Sequence, residues 1–150
     1  MKKFKLKTIA SSYNPETGIS TATVSTEIGI FNGIAKLHPD DKEIASKFAG
    51  CEYAEMRAIL KYAKEKIKII NYQLEPLEKI YNDLKNRKYF KERNTGVRLL
   101  QNEIKELKDT RTIIQIQAKN LADTLQKNID TRPDIIKSIQ EKRNKKQDNE

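Results

Sequence analysis

Ten consecutive positions, Lys85-Asn86-Arg87-Lys88-Tyr89-Phe90-Lys91-Glu92-Arg93-Asn94, carry five basic side chains and two adjacent aromatic rings. Rings offer stacking faces to bases, and lysine and arginine meet phosphates, a combination that suits free nucleotides and single-stranded nucleic acid alike. Tyr89, Phe90 and Arg93 are therefore candidate contacts for an anionic ligand, and Lys85, Arg87, Lys88 and Lys91 are candidates if that ligand is a nucleic acid. Two further arginines, Arg57 and Arg111, sit on or beside apolar helix stripes. A buried guanidinium needs a carboxylate or an anionic ligand, because leaving it unpaired costs several kcal/mol. Glu52, Glu55 and Glu65 are the protein partners expected for these arginines, and ligand contact is the functional alternative. Hydroxyls at Ser20, Thr21, Thr23, Ser25 and Thr26, with Lys2, Lys3, Lys5 and Lys7 on a neighbouring strand, form a second phosphate-gripping candidate.

Catalytic patterns are not found. The one histidine, His38, adjoins Pro39, Asp40 and Asp41, which reads as a helix start rather than a metal ligand or general base. Cys51 has no histidine near it in sequence and reads as a small helix residue. Gly29 and Gly33 lie in a strand context without the Lys-Ser/Thr that a phosphate loop requires. No enzymatic activity, metal or cofactor is expected.

The elements that must hold these residues follow from periodicity. Phe4, Leu6, Thr8 and Ala10 alternate along a strand, and Asn14-Pro15-Glu16-Thr17-Gly18 supplies turn chemistry. Ser20 to Leu37 reads as two more strands around a tight turn near Glu27 to Gly29. His38 to Asp41 starts a short helix over 40–48, which Gly50 can end. Met56, Leu60, Ala63, Ile67, Ile70, Leu74, Leu77, Tyr81 and Leu84 alternate spacings of four and three, the seam of a helix packed lengthwise on another. Pro76 predicts a kink near Tyr72 to Gln73. The seam returns as Val97, Leu100, Ile104, Leu107, Arg111, Ile114, Ala118, Leu121 and Leu125, while Ile113 and Ile116 widen it toward a third neighbour. Thr131 and Pro133 restart a short helix.

The predicted fold class is α+β: a small N-terminal three-stranded antiparallel sheet over 3–37, helices over 40–48, 51–86, 97–128 and 133–139, and a polar tail over 140–150 expected to be disordered. The long pair forms an antiparallel, coiled-coil-like hairpin, and the whole is expected as a single domain over 1–139. A short sheet leaves part of such a hairpin uncovered, so a homo-oligomer is expected.

Net charge is +9 over 150 residues. It divides as +2, +4 and +3 over 1–50, 51–96 and 97–150, so no segment is a purely basic tail. Such a potential favours anionic partners. A single cysteine points to a reducing compartment, and neither a signal peptide nor a membrane span is read, so the expected location is a host cytoplasm.

Ser20 to Val24, Gly29 to Asp41 and Gly50 to Ala58 together resemble small proteins from phages and prophages of Gram-positive bacteria. The likeness covers Ser20 to Tyr62 and implies an accessory role against host defence or in DNA handling. A sheet followed by paired long helices is also similar in layout to the phage sponge proteins that sequester cyclic nucleotide signals of the Thoeris system. No ligand residue of that family matches by position, so none is carried over. The expected function is a phage binding protein that sequesters an anionic nucleotide signal or masks a host immune protein. The alternatives are a nucleic-acid-binding protein of phage replication, recombination or packaging, and a structural coiled-coil adaptor.

Overall fold

Residues 6–36, 47–87 and 94–147 are described by a computed structural model of the chain. The expected helix over 40–48 lies outside them except for its last two residues, as do His38 and the strand residues before Leu6. Three strands, β1 (Lys7–Asn14), β2 (Ile19–Thr26) and β3 (Gly29–Lys36), precede two helices, α1 (Lys47–Lys85) and α2 (Thr95–Gln147). The chain is α+β, as its periodicities predict. It divides into two compact units, one formed by Met1–Lys61 with Asn120–Glu150 and the other by Tyr62–Lys119.

In the first unit the strands form an antiparallel sheet in the order β1-β2-β3. The β1–β2 turn is set by Asn14, whose Oδ1 accepts the main-chain N–H of Glu16 at 2.9 Å and of Thr17 at 3.3 Å. Gly18 closes it in a left-handed conformation, φ 67°, donating to the Asn14 carbonyl at 2.8 Å. The β2–β3 turn needs Gly29, at φ 139°, and is tied by the Thr26 hydroxyl donating to the Gly29 carbonyl at 2.7 Å.

Register puts Ser20, Ala22 and Val24 opposite Ala35, Gly33 and Phe31, so one sheet face carries mostly small residues. The first turns of α1 cover that face with an equally small stripe, Gly50, Ala54 and Ala58, at four-residue spacing. Ala22, Ala35 and Ala54 are buried together with Tyr53 packed against them. Contact is close enough that a Cβ on Gly33 would overlap the Ala54 carbonyl oxygen, and one on Gly50 would meet the Ser20 hydroxyl. Gly50 therefore does not terminate a helix. It lies inside α1 because the sheet leaves no room for a side chain there.

In the second unit α1 and α2 run antiparallel. Every predicted seam residue of this stretch is buried or half-buried, with Ala63, Ile70, Leu74, Val97, Ile104 and Ile114 the deepest. Polar side chains fix the register along the seam: Arg111 donates to Asn71 Oδ1 at 2.8 Å, Gln101 to the Tyr81 hydroxyl at 2.8 Å, and Lys108 pairs with Glu78 at 2.9 Å. Such bonds contribute little to net stability but penalise a slipped pairing, which would leave them unmade. Pro76 sits within α1, and the helix is unbroken across Tyr72 and Gln73. Pro76 has no N–H to offer the Tyr72 carbonyl four residues earlier.

Asn94 caps α2, its Oδ1 accepting the Gly96 N–H at 2.9 Å. The predicted C-terminal helical segment is helical, and it continues from α2 without interruption to Gln147, past Gln140 where the polar tail was expected to begin.

Candidate functional site

Arg57 projects from α1 in the first unit. Its Nη1 donates to the main-chain carbonyl of Ile34 at 2.7 Å, and one helical turn later Lys61 Nζ donates to that of Asn32 at 2.8 Å. β3 is an edge strand, and the carbonyls of Asn32 and Ile34 face away from β2. The two cations thus occupy the hydrogen-bonding edge that an intruding strand would use. The carboxylate pairing predicted for Arg57 is replaced by a main-chain acceptor. Glu55 is engaged elsewhere, accepting from the Thr8 hydroxyl at 2.8 Å.

Arg111 belongs to the second unit. Half-buried on the seam, it is held by Asn71 rather than by a glutamate. A groove of about 450 Å³ opens beside it, lined by Asn71, Leu74, Glu75, Glu78, Asn82 and Asp83 together with Lys79. Glu78 is already paired with Lys108, and Glu75 and Asp83 balance Lys79 and Arg111, so the wall is near neutral and offers no surplus positive charge to seat a polyanion. A second groove of about 560 Å³ lies along Tyr81, Gln101, Ile104, Lys105, Lys108 and Asp109, with charges of both signs.

At the end of α1, Lys85 and Arg87 are exposed, and Lys85 occupies the last helical turn, where a cation complements the helix dipole. The Arg87 N–H closes the turn on the Leu84 carbonyl at 3.1 Å. The other predicted tip contacts, Lys88, Tyr89, Phe90, Lys91 and Arg93, lie outside the described residues.

The hydroxyl strand is engaged with itself. Ser12 and Thr21 hydroxyls are bonded at 2.7 Å, and Thr23 donates to Asn32 Oδ1 at 2.8 Å. Ser20, predicted as a phosphate contact, is 1% exposed under Gly50. It cannot meet a ligand without α1 moving away. Among the described residues no group of histidine, cysteine and carboxylate side chains is placed to hold a metal ion, and no helix is long and apolar enough to cross a membrane.

Compared with protein-family models, curated proteins and solved structures, the chain matches none.

Lys61 and Asn71 escaped the sequence reading. The signal for Lys61 was its position four residues after Arg57 on one helix face. Asn71, flanking the seam, carries no signal until the opposite helix is in register.

Proposed function

We propose that this chain is a non-catalytic binding protein, and that it acts as a phage or prophage accessory factor by masking a host defence protein. Of the two counter-defence routes, sequestering a nucleotide and covering a protein surface, the chemistry beside Arg111 favours the second. The carrying observation is that the groove beside Arg111 has no excess of positive charge: the guanidinium is already bonded to Asn71, Glu75 and Asp83 balance it and Lys79, and Glu78 is paired with Lys108. A phosphate entering there would meet no net positive charge, whereas a protein surface that pairs with both signs and with the exposed apolar side chains nearby would be accommodated. Tyr72, Ile80, Leu99 and Ile116 are large apolar side chains open to solvent in the same unit, which supports a protein partner, including a further copy of this chain.

The test is plaquing efficiency in a Gram-positive host that carries single defence systems and expresses this chain. Restored plaquing by the wild type, and its loss when Glu75 and Asp83 are both changed to lysine, is the expected result. If the double variant restores plaquing as well as the wild type, the Arg111 groove is not the masking surface. A thermal-shift panel of cyclic and ADP-ribose-type nucleotides separates the sponge route, since a ligand far above its Kd raises stability by RT ln(1 + [L]/Kd).

Nucleic-acid binding is the second reading, favoured by the exposed pair Lys85 and Arg87 at the end of α1. It requires affinity that falls steeply between low and moderate salt. Salt-insensitive or absent binding removes it.

A further inference from the structure

The two edges of the sheet are treated differently. On β3, Lys61 and Arg57 occupy the outward carbonyls of Asn32 and Ile34. On β1, seven of eight residues are exposed, Tyr13 alone being half-buried, and among the described residues nothing is bonded to the outer main chain. A strand this exposed, whose outer main chain is open although Thr8 and Ser12 are bonded through their side chains, is a template for strand addition.

Register says which groups it offers. The Ile34 carbonyl faces away from β2, so the Thr21–Ile34 pair is a non-hydrogen-bonded one and Thr21 turns its main chain toward β1. Its partner Ser12 therefore faces inward, and Ser11 and Tyr13 present their N–H and C=O groups to the free edge. On the other side of Ala10 the ladder is irregular, with Ile9 unmatched between Thr8 and Ala10. The regular stretch available is 10–14, and Ser12 is its centre.

We propose that β1 pairs antiparallel with β1 of a second copy of this chain, about a twofold axis through Ser12, joining the two sheets into one. In that register Ser11 and Tyr13 of each copy exchange main-chain hydrogen bonds, and the irregularity at Ile9 falls outside the paired stretch. Charge selects the same arrangement. Lys7 is the single charged residue of β1, Glu16 is exposed in the turn just after it, and neither has an ion-pair partner among the described residues. Pairing centred on Ser12 brings Lys7 of one copy toward Glu16 of the other at both ends. Parallel pairing would set lysine against lysine. The self-complementarity of charge and edge argues for a copy of this chain rather than an unrelated extended peptide.

The full-length chain in sedimentation equilibrium is the test. The wild type forms a dimer at micromolar concentration. Ser11→Pro removes an outward N–H from an edge where proline is sterically tolerated, and the dimer dissociation constant rises roughly tenfold or more. Lys7→Glu and Glu16→Lys each weaken the dimer, and the double exchange restores it. With Cys51 changed to alanine, Ser12→Cys crosslinks under mild oxidation, since opposed non-hydrogen-bonded Cα atoms lie about 4.5 Å apart, within disulfide range. Ile9→Cys does not crosslink. Far-UV circular dichroism checks that each variant is folded. A monomeric wild type at 100-fold higher concentration, or a dimer indifferent to Ser11→Pro and to both charge reversals, overturns the proposal.

Discussion

Replacing Gly33 by alanine adds one methyl group at the place where α1 lies on β3, and its cost can be worked from the contacts. Gly33 has no positive φ, so alanine is compatible with its backbone, and on an unobstructed strand the change would stabilise by about 0.5–1 kcal/mol. Here the added carbon would overlap the Ala54 oxygen and lie 2.7 Å from the Ala58 nitrogen, both main-chain atoms of a helix. An ordinary carbon–oxygen approach is about 3.3 Å, so the helix must retreat. That retreat loosens the packing of Ala22, Ala35, Ala54 and Ala58 together. Overpacking of this kind costs about 1–3 kcal/mol, and the rigid backbone obstacle places it at the upper end. The expected net loss is about 2 kcal/mol, a fall in Tm of roughly 4–8 °C for a chain of this size. Thermal unfolding followed at 222 nm measures it. An unchanged or raised Tm would show that α1 does not sit on β3 at this distance, and the packing of the first unit would have to be redrawn.

The remaining predictions concern single contacts. Gly50→Ala is destabilising alone, because its Cβ meets the Ser20 hydroxyl, but combined with Ser20→Gly it recovers stability in the same melt, since alanine is the better helix former by about 1 kcal/mol. Arg57→Ala with Lys61→Ala lowers Tm by little but uncovers the edge of β3, so light scattering should report faster concentration-dependent aggregation than in the wild type. Asn94→Ala removes the cap of α2 and costs about 1 kcal/mol in urea unfolding, with an unchanged m-value. Pro76→Ala lets the amide at 76 bond the Tyr72 carbonyl and raises Tm, by an amount bounded by the roughly 3 kcal/mol of an interior proline.

Elements that announce themselves by local chemistry were legible in the sequence. Asn14 to Gly18 and Glu27 to Gly29 turn as their residue types predict, and the four-and-three spacings of Ala63 to Leu84 and Val97 to Ala118 become the hairpin seam. What depended on tertiary approach was not legible. Gly50 resembles a helix terminator until the sheet is laid against it, because only the position of Ser20 makes a side chain there impossible. Arg57 and Arg111 were recognised as needing partners, but a main-chain carbonyl on a strand 23 residues earlier and an amide 40 residues away leave no periodic trace. Lys85 and Arg87 were identified by composition, which gives their charge and exposure but not what they meet.

Arg57 and Lys61 bond neutral carbonyls, so neither charge is cancelled by an acid at that edge. The margin of β3 therefore remains cationic wherever lysine is protonated, and it repels the like margin of any other copy. If β1 recruits a second sheet, the joined sheet ends on both sides in these guarded strands. Growth by strand addition then stops after one event, giving a closed pair in place of a fibre.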